Sequence, residues 1–162
     1  MAKVVLICGK ICAGKSTYAK KLAMEQHMVW LSCDDIMLSL FGDNVNELYE
    51  EYHDKVEKFL LKQATNILLS GISVILDFGF WGRSERTQIT NDFRVKNIDC
   101  EWHYIDVSDS TLYKNIEKRN ADIINNGSNE YYTDDELISK CLHFFEVPEK
   151  DEIDVWVANN NF

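Results

Sequence analysis

Short apolar runs alternate with longer amphipathic segments along this chain, and the alternation predicts its fold. Five apolar runs have the length of buried strands: residues 4–8, 28–32, 73–76, 100–107 and 154–158. Six other segments carry apolar residues at helical spacing: residues 15–25, 34–41, 44–70, 84–98, 110–120 and 134–145. Strands that alternate with helices indicate βαβ units. We therefore expect an α/β fold with a parallel sheet covered by helices on both faces.

The segment before the last predicted helix has no clear period. We expect residues 121–132 to form a mobile loop, within a lid segment that spans residues 119–133. Thr133 followed by Glu136 fits a capping box that would start the next helix. No internal repeat or linker interrupts the pattern, so the sequence predicts one domain over residues 1–162.

The composition narrows the class of partner. With 27 acidic and 17 basic residues, the chain has a net charge of −10. Such a surface repels the phosphates of nucleic acids and anionic membranes, and no Lys/Arg cluster offsets it. The sequence shows no signal peptide and no run of about 18 apolar residues that would span a membrane. Its five cysteines form no CxxC pair, which is typical of free thiols in a reducing cytosol. We expect a cytoplasmic protein, and the oligomeric state stays open.

The stretch "GKICAGKST" directly after the first predicted strand matches the phosphate-binding pattern G-x-x-x-x-G-K-[ST]. Its glycines allow successive N–H groups to turn around a phosphate, and the following helix adds the positive end of its dipole. Lys15 is expected to reach the β- and γ-phosphates, and Ser16 to bind Mg²⁺. We name these residues the phosphate loop and predict that they hold a nucleoside triphosphate: Gly9, Lys10, Ile11, Cys12, Ala13, Gly14, Lys15, Ser16 and Thr17.

Three aspartates follow predicted strands at the edge of the sheet where the phosphate loop lies. Asp34 comes directly after the second strand, where a carboxylate can accept a hydroxyl proton and direct the oxygen at a phosphate. Alternatively, Asp34 or Asp35 caps the short helix that begins there. Asp77 ends the third strand and is a candidate for binding Mg²⁺ or an acceptor hydroxyl. The alternative for Asp77 is a turn aspartate before Gly79.

Aromatic residues follow Asp77 at once. Phe80 and Trp81 lie close to the predicted carboxyl end of the third strand, where side chains can form the wall of an acceptor pocket. Core packing is the alternative use of the same residues. With Asp35 and Asp77, they are the candidate contacts to an acceptor.

The motifs together resemble those of the small P-loop kinases of the AAA type, whose relatives include the polynucleotide kinase domain, chloramphenicol phosphotransferase and zeta-type toxins. The resemblance rests on "GKICAGKST", "LSCDD", "VILDFGFWGRSER", "LYKNIEKRN" and "FFEVPEKDE", which occur in the family's order over almost the whole chain. It implies a five-stranded parallel sheet like that of nucleoside monophosphate kinases. It also implies ATP and Mg²⁺ as donor and metal, a hydroxyl acceptor, and a final motif close to the adenine.

Matching positions carry the family's roles to named residues. Lys15 and Ser16 take the donor phosphates and the metal, Asp34 the role of base, and Asp77 the site after the third strand. Arg119 matches a lid arginine that stabilises the transferring phosphoryl group, a role that suits an always-charged, forked guanidinium. A surface arginine near the end of a helix is the alternative for Arg119.

The sequence departs from the family at other arginines. Met37 stands where polynucleotide kinases carry an arginine, and "NADIINNG" after Arg119 supplies no second lid arginine. Arg83 and Arg86 follow Asp77 and are candidates for either acceptor binding or a structural role. With the acidic charge, these departures favour a neutral or cationic small acceptor over a nucleic acid or a nucleotide.

Two functions remain open from the sequence. The first is an ATP-dependent phosphotransferase that acts on a hydroxyl of a small metabolite or antibiotic. The second is a nucleotide-binding regulatory module that transfers phosphate to no acceptor. A toxin that phosphorylates a cell-wall sugar precursor would be the first chemistry with a different acceptor.

Overall fold

The computed structural model describes residues 2–42 and 46–158. Within them, five strands and six α-helices follow one another along the chain. Their order is β1 (Lys3–Gly9), α1 (Lys15–Gln26), β2 (Val29–Ser32), α2 (Cys33–Phe41), α3 (Tyr49–Leu69), β3 (Val74–Gly79), α4 (Arg83–Arg94), β4 (Asp99–Asp106), α5 (Asp109–Asn126), α6 (Asp135–Phe144) and β5 (Val155–Ala158). Single 3₁₀ turns precede α3 (Asn46–Leu48) and β5 (Lys150–Glu152).

The five strands form one parallel sheet in the order β2-β3-β1-β4-β5. Strand β1 lies at its centre, paired with β3 on one side and β4 on the other. The α/β fold predicted from the alternation of runs is confirmed. In such sheets, ligands bind beyond the carboxyl ends of the strands, where neighbouring connections diverge. Gly9, Asp34 and Asp77 lie at that edge, because Ser32 and Asp77 are register partners in β2 and β3.

Alternate residues of β1 face opposite layers of helices. Val4, Leu6 and Cys8 belong to a core that includes Ala64 of α3 and Phe93 of α4. Val5 and Ile7 belong to a second core formed with residues of α1, α5 and α6. Because successive side chains of a strand point to opposite faces, a strand buried on both sides is apolar throughout, which explains the continuous run over residues 4–8.

The segment after Arg119 differs from the prediction. Helix α5 continues to Asn126 and ends at Gly127, which takes the left-handed conformation (φ 63°) that favours glycine. The first part of the predicted loop is therefore helical. Thr133 is not the cap of the next helix: the Asp134 side chain accepts a hydrogen bond from the Leu137 N–H at 2.8 Å. Of the predicted helix over residues 44–70, residues 44 and 45 lie outside the described part of the chain.

Thr133 instead joins the lid segment to α5. Its N–H donates to the Asn120 side-chain oxygen at 2.9 Å, and its carbonyl accepts from the Asn120 amide at 2.7 Å. Thr133 is buried at 2% exposure, so both hydrogen bonds are shielded from water. This pairing, which spans 13 residues, displaces Thr133 from the cap position that its sequence pattern predicts.

A buried ion pair joins α4 to the chain before β5. Arg86 is 2% exposed, and its Nε donates to a Glu152 carboxylate oxygen at 3.0 Å. Its Nη1 donates to the carbonyls of Phe80 and Trp81, each at 3.2 Å. Burial opposes ionisation of Glu152, but hydrogen bonds from Arg86 and from the Glu149 backbone hold its pKa below the ordinary value. Of the two roles predicted for Arg86, the structure shows the structural one.

Removing this arginine should cost more stability than removing its neighbour. We expect Arg86→Gln to lower the free energy of unfolding by about 3 kcal/mol, because it leaves the mostly buried Glu152 carboxylate with the more distant Arg83, at 3.7 Å, in place of its 3.0 Å partner. Arg83→Gln, which breaks a more exposed pair with Glu149, should cost about 1 kcal/mol or less. Urea unfolding followed by circular dichroism measures both. Equal losses in the two variants would contradict the assignment.

Candidate active site

The phosphate loop connects β1 to α1 with a backbone that needs its two glycines. A Cβ at Gly9 would lie 2.9 Å from the Ile105 carbonyl oxygen, so only glycine fits beside β4 there. Gly14 is the N-cap of α1 with φ 92°, in the left-handed region, and offers no side chain to the first turn. The N–H groups at the start of α1 therefore receive no side-chain cap from that residue, as an anion site requires.

The other loop residues have distinct environments. Lys15 extends its ammonium over the loop, where Nζ donates to the Gly9 carbonyl at 3.0 Å and to the Lys10 carbonyl at 2.8 Å. Lys10 pairs with Asp109 at the start of α5, at 2.9 Å. Cys12 has φ 54°, and its carbonyl accepts from the Asn115 side chain at 2.9 Å. Of three further loop residues, Ala13 is buried, Ile11 is half-buried and Thr17 is exposed.

Asp77 is buried within β3, two residues before the strand ends at Gly79, so it neither ends the strand nor lies in a turn as predicted. A hydrogen bond from Ser16 joins it to the first turn of α1. Asp77 is 6% exposed, and the Trp30 indole N–H donates to its Oδ2 at 3.4 Å. Burial raises its pKa. Three interactions act in the opposite direction and lower it: the charge of the Lys15 ammonium, a hydrogen bond from the Ser16 hydroxyl and the contact with Trp30. The Asp34 carboxylate adds to the increase. Asp77 is therefore within electrostatic range of both the phosphate loop and Asp34.

The residues present fit a nucleotide and Mg²⁺. An uncapped helix start and the Lys15 ammonium match the charge of phosphates, and the Ser16 hydroxyl and Asp77 carboxylate supply adjacent oxygen ligands. Within the described residues, no group of three or more His, Cys, Asp or Glu side chains is arranged to hold a metal. This suits Mg²⁺, which usually binds one or two protein oxygens and completes its shell with substrate phosphates and water.

Helix α2 places Asp34 and Asp35 differently. The N-cap is Ser32, whose hydroxyl accepts from the Asp35 N–H at 3.3 Å, so the prediction that either aspartate caps this helix is wrong. Asp34 is close enough to raise the pKa of Asp77 and, after the larger effect of burial, that of Tyr49. Asp34 and Asp35 are both exposed, and the role of base for Asp34 stays a prediction.

Arg119 lies one helical turn beyond Asn115 on α5, and Asn115 contacts the phosphate loop through Cys12. Residues four apart share a helix face, so Arg119 is on the face of α5 toward the loop. Its Nε is 2.9 Å from a carboxylate oxygen of Glu130 in the lid segment, and Arg119 is about one-third exposed (32%). The lid role of Arg119 stays a prediction.

The aromatic residues after Asp77 serve the core more than the site. Phe80 is 1% exposed, has φ 47° and packs edge-on against Trp102 with ring centroids 5.1 Å apart. Its side chain has almost no surface to offer an acceptor, which corrects the prediction made from the sequence. Trp81 is half-buried; its indole covers Gly79, where a Cβ would lie 2.8 Å from the indole nitrogen.

Three residues near the site were not predicted from the sequence. Trp30 donates a hydrogen bond to Asp77, and Asn115 donates one to the phosphate loop. The Asp34 carboxylate contributes to the raised pKa of Tyr49. Only Asn115 had a usable signal, since it precedes Arg119 by four residues in a predicted helix. The indole of Trp30 reaches Asp77 across 47 residues of sequence, and no local pattern indicates such a contact.

Comparison with known proteins places the chain in a family. The sequence profile of the AAA domain family matches residues 4–138. The chain belongs to this family. The small P-loop kinase resemblance is thereby confirmed, together with the five-stranded P-loop nucleotide-binding fold. No match was found among curated protein sequences.

Solved structures share the fold at low sequence identity. Kti12 from Chaetomium thermophilum, in complex with ADP-AlF₃, has a TM-score of 0.74 and 14% identity over 99% of this chain and 91% of that one. A gluconokinase from Sinorhizobium meliloti 1021 has a TM-score of 0.66 and 16% identity over 99% and 84%. A chain of the Pnkp1/Rnl/Hen1 RNA repair complex has a TM-score of 0.70 and 20% identity over 88% and 43%. These similarities are evidence of a shared fold.

The buried charge of Asp77 should reduce stability at neutral pH. Its pKa in the folded chain lies above the ordinary value of 3.8, so the unfolded chain loses this proton first as the pH rises. Stability should therefore fall as the pH rises from that value through the raised pKa. We expect Asp77→Asn to unfold at a higher urea concentration at pH 7 and to flatten this part of the pH profile.

The matched control is Asp92→Asn, on an exposed position of α4, which should leave the profile unchanged. Urea midpoints measured every half pH unit distinguish the two variants. An Asp77→Asn protein that is less stable than wild type at pH 7 would mean that the native contacts of the carboxylate outweigh its burial.

Proposed function

We propose that this protein is an ATP-dependent kinase that phosphorylates a hydroxyl group of a small molecule. One observation carries the proposal: the buried Asp77 carboxylate accepts a hydrogen bond from Ser16 of the phosphate loop and lies within electrostatic range of Lys15 and Asp34. This supports a phosphate site and a candidate base at the same edge of the sheet. Family membership and the fold shared with a gluconokinase support a small-molecule acceptor.

The transfer assigns one task to each residue. A bond forms between the acceptor oxygen and the γ-phosphorus, and the bond from that phosphorus to the β,γ-bridging oxygen breaks, its electron pair leaving with ADP. The acceptor proton passes to the Asp34 carboxylate. Lys15 and Arg119 balance the negative charge on the phosphoryl oxygens. Ser16 and Asp77 would hold Mg²⁺, which supplies further charge neutralisation when bound.

The contacts of the lid segment support a role in excluding water. Glu130 pairs with Arg119 on α5, and Tyr131 packs edge-on against Tyr49 of α3, with ring centroids 5.9 Å apart. The segment thus contacts helices from both sides of the site. We propose that its closure shields the γ-phosphate so that an acceptor hydroxyl, rather than water, receives it.

Asp34→Asn should abolish transfer without abolishing nucleotide binding. We expect ADP production stimulated by an acceptor to fall about 10²- to 10⁴-fold, the usual contribution of a positioned base. Asp92→Asn, at the exposed position of α4 away from the candidate site residues, should retain near wild-type turnover. Coupled ADP detection over a panel of sugars, nucleosides, amino alcohols and aminoglycosides measures both, with Lys15→Ala as the variant that lacks a phosphate contact. Full activity in Asp34→Asn would exclude this residue as the base.

Arg119→Ala should lower turnover more than nucleotide affinity. Loss of one charge-stabilising group typically reduces kcat by about 10²- to 10³-fold. Glu130→Gln, which frees Arg119 from its ion pair, is the matched control and should keep turnover within about threefold of wild type, since an exposed pair contributes little. A panel in which no acceptor raises ADP production, with ATP still bound through Lys15, would favour a nucleotide-binding regulatory module.

A further inference from the structure

One residue of the phosphate loop, Cys12, has a backbone conformation that residues with a side chain rarely adopt. Its φ is 54°, in the left-handed region, where a Cβ crowds the backbone and glycine is normally found. The Ala13 N–H donates to the Lys10 carbonyl at 3.2 Å and closes a four-residue turn in which Cys12 is the third residue. In turns that need a positive φ at this position, glycine or asparagine usually supplies it. Cys12 therefore keeps a conformation that its surroundings must stabilise.

The Cys12 side chain fills a place in the core. The residue is 8% exposed and belongs to the apolar cluster that includes Ala19 of α1 and Ile138 of α6. Its Sγ lies 4.0 Å from the hydroxyl oxygen of Thr133, at the end of the lid segment. A glycine would take the backbone conformation without strain but would leave this space unfilled. Packing thus accounts for the cysteine side chain, and the backbone has to be held by another contact.

Asn115 of α5 supplies that contact. Its side-chain amide donates to the Cys12 carbonyl at 2.9 Å, across 103 residues of sequence. Asn115 is half-buried, so water competes less for this hydrogen bond than for an exposed one. A second bond between α5 and the loop, from Lys10 to Asp109, involves a carboxylate that is 77% exposed and contributes less. Asn115 is therefore the stronger of these two anchors of the loop on α5.

The turn links the anchored carbonyl to Lys15. The Cys12 carbonyl and the Ala13 N–H belong to one planar, trans peptide unit, so they point in opposite directions. Asn115 holds the carbonyl toward α5, and the N–H is thereby directed to the Lys10 carbonyl. The same Lys10 carbonyl accepts a hydrogen bond from the Lys15 ammonium at 2.8 Å. A rotation of this peptide would therefore break the turn and displace an acceptor of Lys15.

We propose that Asn115 is a positioning residue of the phosphate loop, which holds the Cys12 peptide so that the turn and Lys15 keep the arrangement that receives nucleotide phosphates. Asn115 acts through Cys12 rather than by contact with the nucleotide. The inference rests on the proposed kinase function for its nucleotide site, and it adds to that site a residue of α5 that lies outside the phosphate-loop motif.

Nucleotide affinity reports directly on the conformation of the loop. The dissociation constants of ADP and of the unreactive analogue AMP-PNP, each with Mg²⁺, are measured by calorimetry below the unfolding temperature of every variant. We expect Asn115→Ala to raise both constants about threefold to tenfold, the usual effect of losing one neutral hydrogen bond. Asn115→Asp keeps the shape of the side chain but not its donor, and it should raise them at least as much. It replaces the alanine variant if that protein does not fold.

A second substitution tests whether Asn115 acts through the Cys12 backbone. Glycine takes a φ of 54° without crowding from a Cβ, so the turn depends less on an anchor. We expect Cys12→Gly, added to Asn115→Ala, to return both dissociation constants to within about twofold of wild type, and Cys12→Gly alone completes the double-mutant cycle. A merely structural role of Asn115 would lower the unfolding temperature without this recovery. Asn91→Ala, at an exposed position of α4, is the control and should change neither constant.

The outcomes separate this inference from the kinase function. An Asn115→Ala protein that binds ADP as tightly as wild type would overturn the inference, and so would a loss of affinity that Cys12→Gly does not reverse. A wild-type protein that binds ADP but transfers phosphate to no acceptor would overturn the kinase function, and the binding series would still decide the role of Asn115. A wild-type protein that binds no nucleotide would overturn both.

Discussion

The Asp77 carboxyl group, buried within β3, is the constraint on which the rest of the site depends. A buried carboxylate without partners is costly, so its neighbours must be held in place. They come from different parts of the chain: Trp30 from β2, and Lys15 and Ser16 from the first turn of α1. The contacts that stabilise this one carboxylate thereby hold the phosphate loop in place relative to β2 and β3. Because Asp34 follows β2, its position is fixed as well.

Some charged residues of this acidic chain form ion pairs that stabilise the fold, and others lie at the candidate site. Arg86 and Glu152 fix the turn after β3, where Phe80 takes a positive φ, and their charges cancel there. In the proposed transfer, positive charge toward a phosphate comes from Lys15, from backbone N–H groups and from Arg119.

Sequence patterns predicted helices and strands well where the burial of apolar residues specifies them. They predicted less well where a contact between residues distant in sequence competes with the local pattern. The β1 run over residues 4–8 is apolar because both faces are covered, and it was found. Residues 121–126 lack a clear period, yet they continue α5 until Gly127 ends it. Thr133 fits a cap pattern but pairs with Asn120 instead. Phe80 follows a strand end as a pocket residue would, but the turn directs its ring into the core.

The sequence by itself determined the alternation of strands and helices, the phosphate loop and the placement of Asp34 and Asp77 toward one edge of the sheet. These follow from local spacing: residue period, glycine conformation and a helix start all act within a few neighbours. Only the tertiary structure decided which charges pair, because Arg86 and Glu152 are 66 residues apart and Trp30 and Asp77 are 47 apart. Side chains so far apart meet only when the sheet order β2-β3-β1-β4-β5 brings their elements together. Charge pairing therefore decided that Arg86 is a structural residue.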